Sequence, residues 1–332
     1  MKIIPQSLRA FFAREVAGGI FLCSAALIAL IAANSPISDS YLSLAESSSH
    51  FVNEFLMAIF FFLVGLEIKR EFLFGELKNP KNAALPIIAA LGGMAVPALI
   101  WALFTSGGPG WAIAMPTDIA LALGALALLG SRIDTSLKIF LLTLAISDDL
   151  FSIIVLGAFY SSSLSPIKIA STIGAVFLAF VLPTRDSKKL DRLIGLIHPW
   201  SAFLIVPLFA LVNIGVVIDF GTLPTTLSSP IALALIIGRP VGKLIGITLF
   251  AWLAVKLNIA KLPTSLSFKE IAGAGALAGM GLTVSLFIAE LALDDSASLD
   301  QVRVGLILGA IISTLLGIAI LRKYSVAQDL LL

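Results

Sequence analysis

The sequence predicts an all-α polytopic membrane protein, with about ten transmembrane helices forming a single domain over residues 1–332. Three observations carry this reading. Hydrophobic residues make up 59% of the 332 and charged residues only 13%, with a mean hydropathy of +1.06, whereas about a quarter of a soluble domain is charged. The apolar residues fall into runs of about 20, the length a helix needs to cross roughly 30 Å of hydrocarbon, and runs this long exclude barrel strands. Lys and Arg concentrate in alternate connecting segments, the mark of a chain threaded back and forth across a bilayer.

Ten spans follow, at 16–34, 51–68, 83–105, 111–130, 138–160, 166–183, 196–219, 230–254, 270–293 and 302–321. Lys2, Arg9 and Arg14 ahead of the first run imitate a signal peptide, but no small-x-small cleavage pattern follows, so the run reads as a retained span. Cys23 within it has no second cysteine to pair with and reads as a small packing residue. The second span ends in the charged cluster Glu67, Lys69, Arg70 and Glu71. The fourth is interrupted at Ala114-Met115-Pro116-Thr117-Asp118, where proline removes a backbone donor. The fifth carries Asp148-Asp149, and the seventh opens on His198-Pro199, with His198 read as an interfacial packing residue. Arg239 and Lys243 fall within the eighth, and Gly273, Gly275, Gly279 and Gly281 loosen the ninth ahead of Thr283.

With the amino terminus inside, the inner segments hold 18 of the 22 Lys and Arg and the outer loops two, Arg239 and Lys243 being the remainder. This bias places both termini in the cytoplasm. The net charge of +2 is small and scattered, which leaves no footprint for nucleic acid. The outer loops are short, so the function lies within the membrane.

Spans three to five and eight to ten form two triplets, approximately 83–160 and 230–321, that start from opposite sides and so are inverted in topology. The interrupted span is the middle one in both. Matched interruptions in inverted halves predict broken helices crossing at the midplane, with Gly279 and Gly281 at the second break, an arrangement that secondary transporters use for ion sites.

Ionisable groups within a membrane are costly and mark an ion path or a buried pair. Asp148 and Asp149 lie about ten residues into the fifth span, roughly 15 Å deep at 1.5 Å per residue, Asp118 lies beside the fourth span's break, and Lys243 is near the middle of the eighth. Adjacent helical residues point about 100° apart, so the two aspartates serve different partners. One carboxylate joins Asp118 around a cation, with the Thr117 hydroxyl and freed carbonyls as further oxygen ligands; the other pairs with Lys243. The bland alternative is a single salt-bridge network that only fixes packing, although buried ion pairs are weak stabilisers. Arg239, one turn before Lys243 on the same face, either salt-bridges an acid or snorkels toward the outer surface, and snorkelling is the favoured reading. Glu54 and Glu290 lie near span ends and read as interfacial, while Thr283 and Ser285 either donate to the site or bond the preceding turn. No metal-site spacing of His and Cys and no phosphate loop occurs, so no organic cofactor is expected.

Five stretches resemble the NhaA family of Na+/H+ antiporters: 56–71, ending Gly65-Leu66-Glu67-Ile68-Lys69-Arg70-Glu71; Thr117-Asp118-Ile119-Ala120; Leu144-Ala145-Ile146-Ser147-Asp148-Asp149; Val241-Gly242-Lys243; and Gly279-Met280-Gly281-Leu282-Thr283-Val284-Ser285. The similarity covers roughly 8–180 and 196–322, and the NhaA fold is itself one of the cases behind the inverted-repeat rule. It implies a bacterial inner-membrane antiporter, not an enzyme, that exchanges Na+ or Li+ for H+ in pH homeostasis and salt tolerance, within the lipid bilayer and with a homodimer as one assembly open to it. Asp118 and Asp149 would be the Na+-binding, proton-exchanging carboxylates, Thr117 a ligand or site-former, and Asp148 the partner of Lys243. Glu67, Lys69, Arg70 and Glu71 would belong to the family's pH-sensing cytoplasmic funnel. If both carboxylates deprotonate to hold one Na+, exchange is electrogenic. Two departures stand out: one span, 166–183, where the family has three, and Ile194 and Gly195 where the family has an acid and a histidine.

Two rivals remain at this level. An intramembrane aspartyl protease would need a Gly-x-Gly-Asp signature that is absent, and a transport-inactive paralogue would retain the fold as a structural or regulatory subunit. The charge bias makes a direct prediction. A phosphatase active only in the periplasm, fused after Leu332, is expected to show no activity, and strong activity would refute the threading.

Overall fold

The structure, a computed structural model, describes residues 6–130, 133–160, 166–183, 186–293 and 295–329. Lys2, Arg132 and Arg185 of the charge pattern, and Leu332, lie outside the described residues. Helix α1 (Gln6–Ala33) is the first span. Helix α2 (Ser38–His50) passes through a π-type turn at Phe51–Leu56 into α3 (Met57–Phe74), giving one helix of 37 residues. The span expected at 51–68 is therefore the middle of a longer helix. Its first segment is polar and has no buried residue, so hydropathy does not mark it.

Helix α4 (Pro80–Phe104) starts where the Asn79 side chain accepts the Lys81 N–H and Pro80 occupies the first turn, both ordinary helix-start chemistry. The fourth span is broken as expected: a 3-10 turn (Trp111–Ala114), non-helical backbone through Asp118, then α5 (Ile119–Ala127). Helix α6 (Thr135–Phe159) is capped by Asp134, and α7 (Pro166–Val181) follows. Helix α8 (Ser187–Trp200) is capped by Asp186 and continues through a π-type turn at Ser201–Ile205 into α9 (Val206–Asn213). This seventh span starts earlier than the expected 196 and ends before 219. Beyond Asn213 the chain leaves the helix, and the Asn34 amide donates to the Val216 carbonyl and accepts the Ile218 N–H, supplying the hydrogen bonds that a helix would have provided.

A short α10 (Leu223–Leu227) precedes α11 (Pro230–Ile236) and α12 (Gly238–Lys256), which together form an eighth span interrupted at Ile237. Helix α13 (Phe268–Ala278) begins with a capping box of Ser267 and Glu270, and α14 (Thr283–Ala292) is bent from it by 51°. Helix α15 (Ser296–Asp329) closes the bundle.

Among the described residues, seven helices are long and apolar enough to cross a membrane, α13 with α14 makes an eighth, and Trp111–Ala127 and Ser171–Val181 are shorter apolar helices. Each of the ten expected spans thus has its helix. Cys23, expected to be a packing residue, is exposed instead, because α1 turns that side outward with Phe21 and Leu27.

Helix α4 packs along α12, and α6 lies against α4, α5 and α13. The α4–α12 approach rests on Gly92 and Gly246: a Cβ on either would run into the backbone carbonyl of the other. Small residues let membrane helices approach at backbone distance, where dispersion and weak Cα–H contacts act. Gly246→Val is therefore expected to separate α4 from α12 and lower the melting temperature in detergent by about 5 °C or more. An unchanged melting temperature would refute the close-approach argument.

Candidate functional site

Pro116 has no N–H to give, and the backbone at Asp118 is extended, so α5 begins with its first donors and the preceding carbonyls unengaged within the helix. The second break, between Ala278 and Thr283, leaves the same deficit. The two breaks meet and satisfy each other. The Asp118 N–H donates to the Met280 carbonyl at 2.9 Å. The Asp118 carboxylate accepts the Leu282 and Thr283 N–H groups at 2.5 and 3.0 Å and the Thr283 hydroxyl, and so caps the amino terminus of α14 from another helix.

On α6 the two adjacent aspartates part as the helical angle requires. Asp148 is fully buried and accepts from Lys243 at 2.5 Å and from the Thr117 hydroxyl at 2.6 Å. Lys243 also donates to Thr117 at 2.9 Å, and the Thr117 hydroxyl lies 2.9 Å from the Ala278 carbonyl. Thr117 thus belongs to the Asp148–Lys243 pair and ties it to both breaks. Asp149 instead lines a cavity of about 470 Å³ shared with Asp118 and Thr283, and its Oδ1 has no hydrogen-bond partner among the described residues.

Arg239 corrects an expectation. It does not snorkel: the side chain is completely buried, donating to the Pro116 carbonyl and to Ser285 Oγ at 2.8 Å. The carbonyl left free by the first break is the acceptor, and Gly281 makes the room, since a Cβ there would strike the guanidinium and stand 2.7 Å from the Pro116 carbonyl oxygen. Thr283 and Ser285 sit in the first turn of α14, with no preceding helical turn to bond, which is why both hydroxyls serve the crossing. Gly279, the other glycine of the break, abuts Ser313 of α15.

The far part of the cavity is lined by Glu67, Arg70, Glu71 and Asp191. Arg70 pairs with Asp191 at 2.6 Å and Glu71 at 2.9 Å. Lys69 departs from the expected cluster: it donates to the carbonyls of Ala179, Phe180 and Leu182, holding the end of α7. Residues 67, 70 and 71 share a helix face, while residue 69 is about 200° from residue 67. His198 is no interfacial packing residue either. It is buried on the cavity wall, 2.5 Å from Glu15, because α8 begins well before it and carries it inward. Glu15 went unread in the sequence, and its one signal is an acid directly before the first apolar run. Glu54 and Glu290 stay away from the crossing, paired with His50 at 2.9 Å and Arg303 at 3.3 Å.

A bundle of apolar helices long enough to cross a membrane, with carboxylates where two interrupted helices meet and a cavity reaching them, has the architecture of a membrane transporter. The sequence profile of the family described as Na+/H+ antiporter 1 matches residues 9–172 and 168–321. The Na(+)/H(+) antiporter NhaA 2 of Pseudomonas syringae pv. syringae is 42% identical over 371 residues, covering 95% of this chain and 94% of that protein. NhaA antiporters of Bordetella bronchiseptica and Caulobacter vibrioides are each 39% identical, covering 96% and 95% of this chain and 96% and 90% of their own lengths. The chain belongs to the NhaA-type Na+/H+ antiporter family. The alignment with the Pseudomonas relative spans 371 positions against 332 residues here, and the two parts of the profile match meet at 168–172, within the single sixth span.

The Asp148–Lys243 pair generates a prediction. Lys243→Ala leaves a buried carboxylate without its cation, at a cost of about 3–5 kcal/mol, and thermal unfolding in detergent should show marked destabilisation that Asp148→Asn partly restores. Equal stability of the wild type and Lys243→Ala would remove the pair from the account.

Proposed function

We propose that the chain is a secondary antiporter that exchanges Na+ or Li+ for protons across the bacterial inner membrane, both termini in the cytoplasm, with Asp118 and Asp149 as the exchanging carboxylates. The observation that carries the reading is that these two carboxylates line one cavity at the meeting of the broken helices. A cation entering a low-dielectric site needs negative charge to replace its hydration, and two ionised carboxylates supply it. Without the cation, two poorly solvated carboxylates repel and take up protons. Each ion therefore expels the other.

Asp118 already accepts from the Thr283 hydroxyl and the α14 N–H groups, so an arriving sodium competes with these donors. The Pro116 carbonyl is engaged by Arg239, which leaves the carboxylates as the chief ligands. If both give up protons for one Na+, two protons cross per sodium and one net charge moves in each cycle. A proton gradient then drives sodium out and serves pH homeostasis. Nothing but the ions and the chain is needed, so no organic cofactor is required.

Alternating access is assigned to the two inverted halves, approximately 83–160 and 230–321, which meet along α4 and α12. The wall formed by Glu67, Arg70 and Glu71 is the cytoplasmic mouth in this orientation. Asp149→Asn is expected to abolish Na+-dependent proton movement in everted vesicles, and Asp118→Asn to abolish or severely weaken it. In proteoliposomes an inside-negative potential should drive protons inward and sodium outward. Unchanged exchange in Asp149→Asn would reject the site, and exchange indifferent to potential would reject the two-proton stoichiometry alone.

A further inference from the structure

We propose that Arg303 is an outer latch, a positioning residue whose bond to the carboxyl end of α9 holds the outer side of the site shut while the cavity opens inward. The inference rests on the antiporter reading and on both termini lying inside. Three helices wall the cavity near the carboxylates: α3 through Leu63 and Val64, α9 through Val206, and α14 through Thr283 and Val284. Followed outward, the same three helices close on one another. Phe61 meets Phe287 with ring centroids 4.8 Å apart and Phe209 meets Phe287 at 6.5 Å, all three side chains being buried. A polar layer lies beyond them. There the amides of Asn53 and Asn213 exchange hydrogen bonds at 3.0 and 2.8 Å, which joins the π-type turn before α3 to the last residue of α9.

Helix α9 stops at Asn213, so its last carbonyls have no donors within the helix. The Tyr41 hydroxyl donates to the Leu211 carbonyl at 2.5 Å. Arg303 Nε donates to the Asn213 carbonyl at 2.7 Å, which sets a cation on the negative end of the helix. The other two guanidinium nitrogens donate to Asp300 at 2.8 Å and to Glu290 at 3.3 Å, so the side chain is aimed by its own half and binds across to α9. Helix α15 packs on α11 and α13, and Arg303 therefore travels with the second inverted half, whereas Asn213 belongs to neither half. A shift of that half that opens the outer side has to draw Arg303 off the carbonyl. The bond is suited to opening. Side-chain exposures of 18% for Arg303, 23% for Glu290 and 46% for Asp300 let water take over the hydrogen bonds once the helices part. The wholly buried Asp148–Lys243 pair has no such replacement.

Cys23→Ser removes the one native cysteine, and Val206→Cys then places a single thiol on the cavity wall, inward of the aromatic layer. A membrane-impermeant maleimide should label it readily in everted vesicles and only slowly in right-side-out vesicles. Arg303→Gln should raise the outside labelling rate roughly tenfold, the equilibrium weight of one charge-assisted hydrogen bond. Arg303→Lys keeps a cation for the carbonyl and should stay near the wild type. A strut without a gating role would change abundance alone, so Arg303→Gln at normal abundance with outside labelling unmoved would overturn the proposal. Should that variant fail to accumulate, Asn213→Cys with Asp300→Cys in the Cys23→Ser background leaves Arg303 in place and puts thiols on the two residues that its guanidinium joins. Bridging them with a short, reducible bifunctional reagent should stop Na+-dependent proton movement, and reduction should restore it; undiminished exchange in the bridged protein would overturn the latch. Absence of exchange in the wild type would sink the antiporter reading, while the labelling comparison would still test the latch.

Discussion

A backbone broken inside an apolar bundle has N–H and C=O groups that its own helix no longer satisfies, and the centre of this protein follows from how those groups are satisfied. Asp118 gives its own N–H to Met280 and takes the first donors of α14. Arg239 takes the Pro116 carbonyl, and the Thr117 hydroxyl lies beside the Ala278 carbonyl. Each break is repaired by residues on or beside the other. The groups that repair the breaks include the charged groups proposed for ion exchange, so the fold of the crossing and its electrostatics are one arrangement. In the proposed exchange, a cation that draws Asp118 away from α14 would also disturb the joint between the two breaks.

The remaining charges divide the labour. Asp148 and Lys243 neutralise each other in full burial, and a buried pair of this kind adds little net stability over apolar packing while being expensive to break. Its presence is better understood as a fixed electrostatic background beside Asp149, whose Oδ1 lacks a partner and whose side chain lines the cavity. One helical step of about 100° on α6 separates the engaged carboxylate from the available one.

That the two aspartates divide was legible from helical geometry, while which of them pairs with Lys243 was implied only by the family resemblance, and the ten spans were legible because hydropathy reports burial in lipid. The extensions at Ser38–His50 and at the start of α8 were not, since both are helical without being apolar, and a hydropathy window registers apolarity rather than helicity. Arg239 was misread for a related reason. Snorkelling assumes that the only acceptors for a guanidinium lie at the surface, and the carbonyl freed at Pro116 lies 123 positions away in the chain. The Glu15–His198 pair spans 183 positions and leaves no local pattern. Lys69 could have been separated from Glu67, Arg70 and Glu71 by the same angular rule that separated the two aspartates.

The shortened middle of the chain bears on whether the crossing stands alone. Helix α7, the single span between the halves, packs chiefly on α3, and Lys69 of α3 binds the carbonyls at its end. The hydrogen bonds described for the crossing run among α5, α6, α12, α14 and the two breaks. The close glycine contact that sets the distance between the halves lies in α4 and α12. A stretch present in the relatives and absent here therefore falls outside the set of contacts that fixes the carboxylates. The geometry around Asp118 and Asp149 is fixed by the elements that carry those hydrogen bonds, α5, α6, α12, α14 and the two breaks.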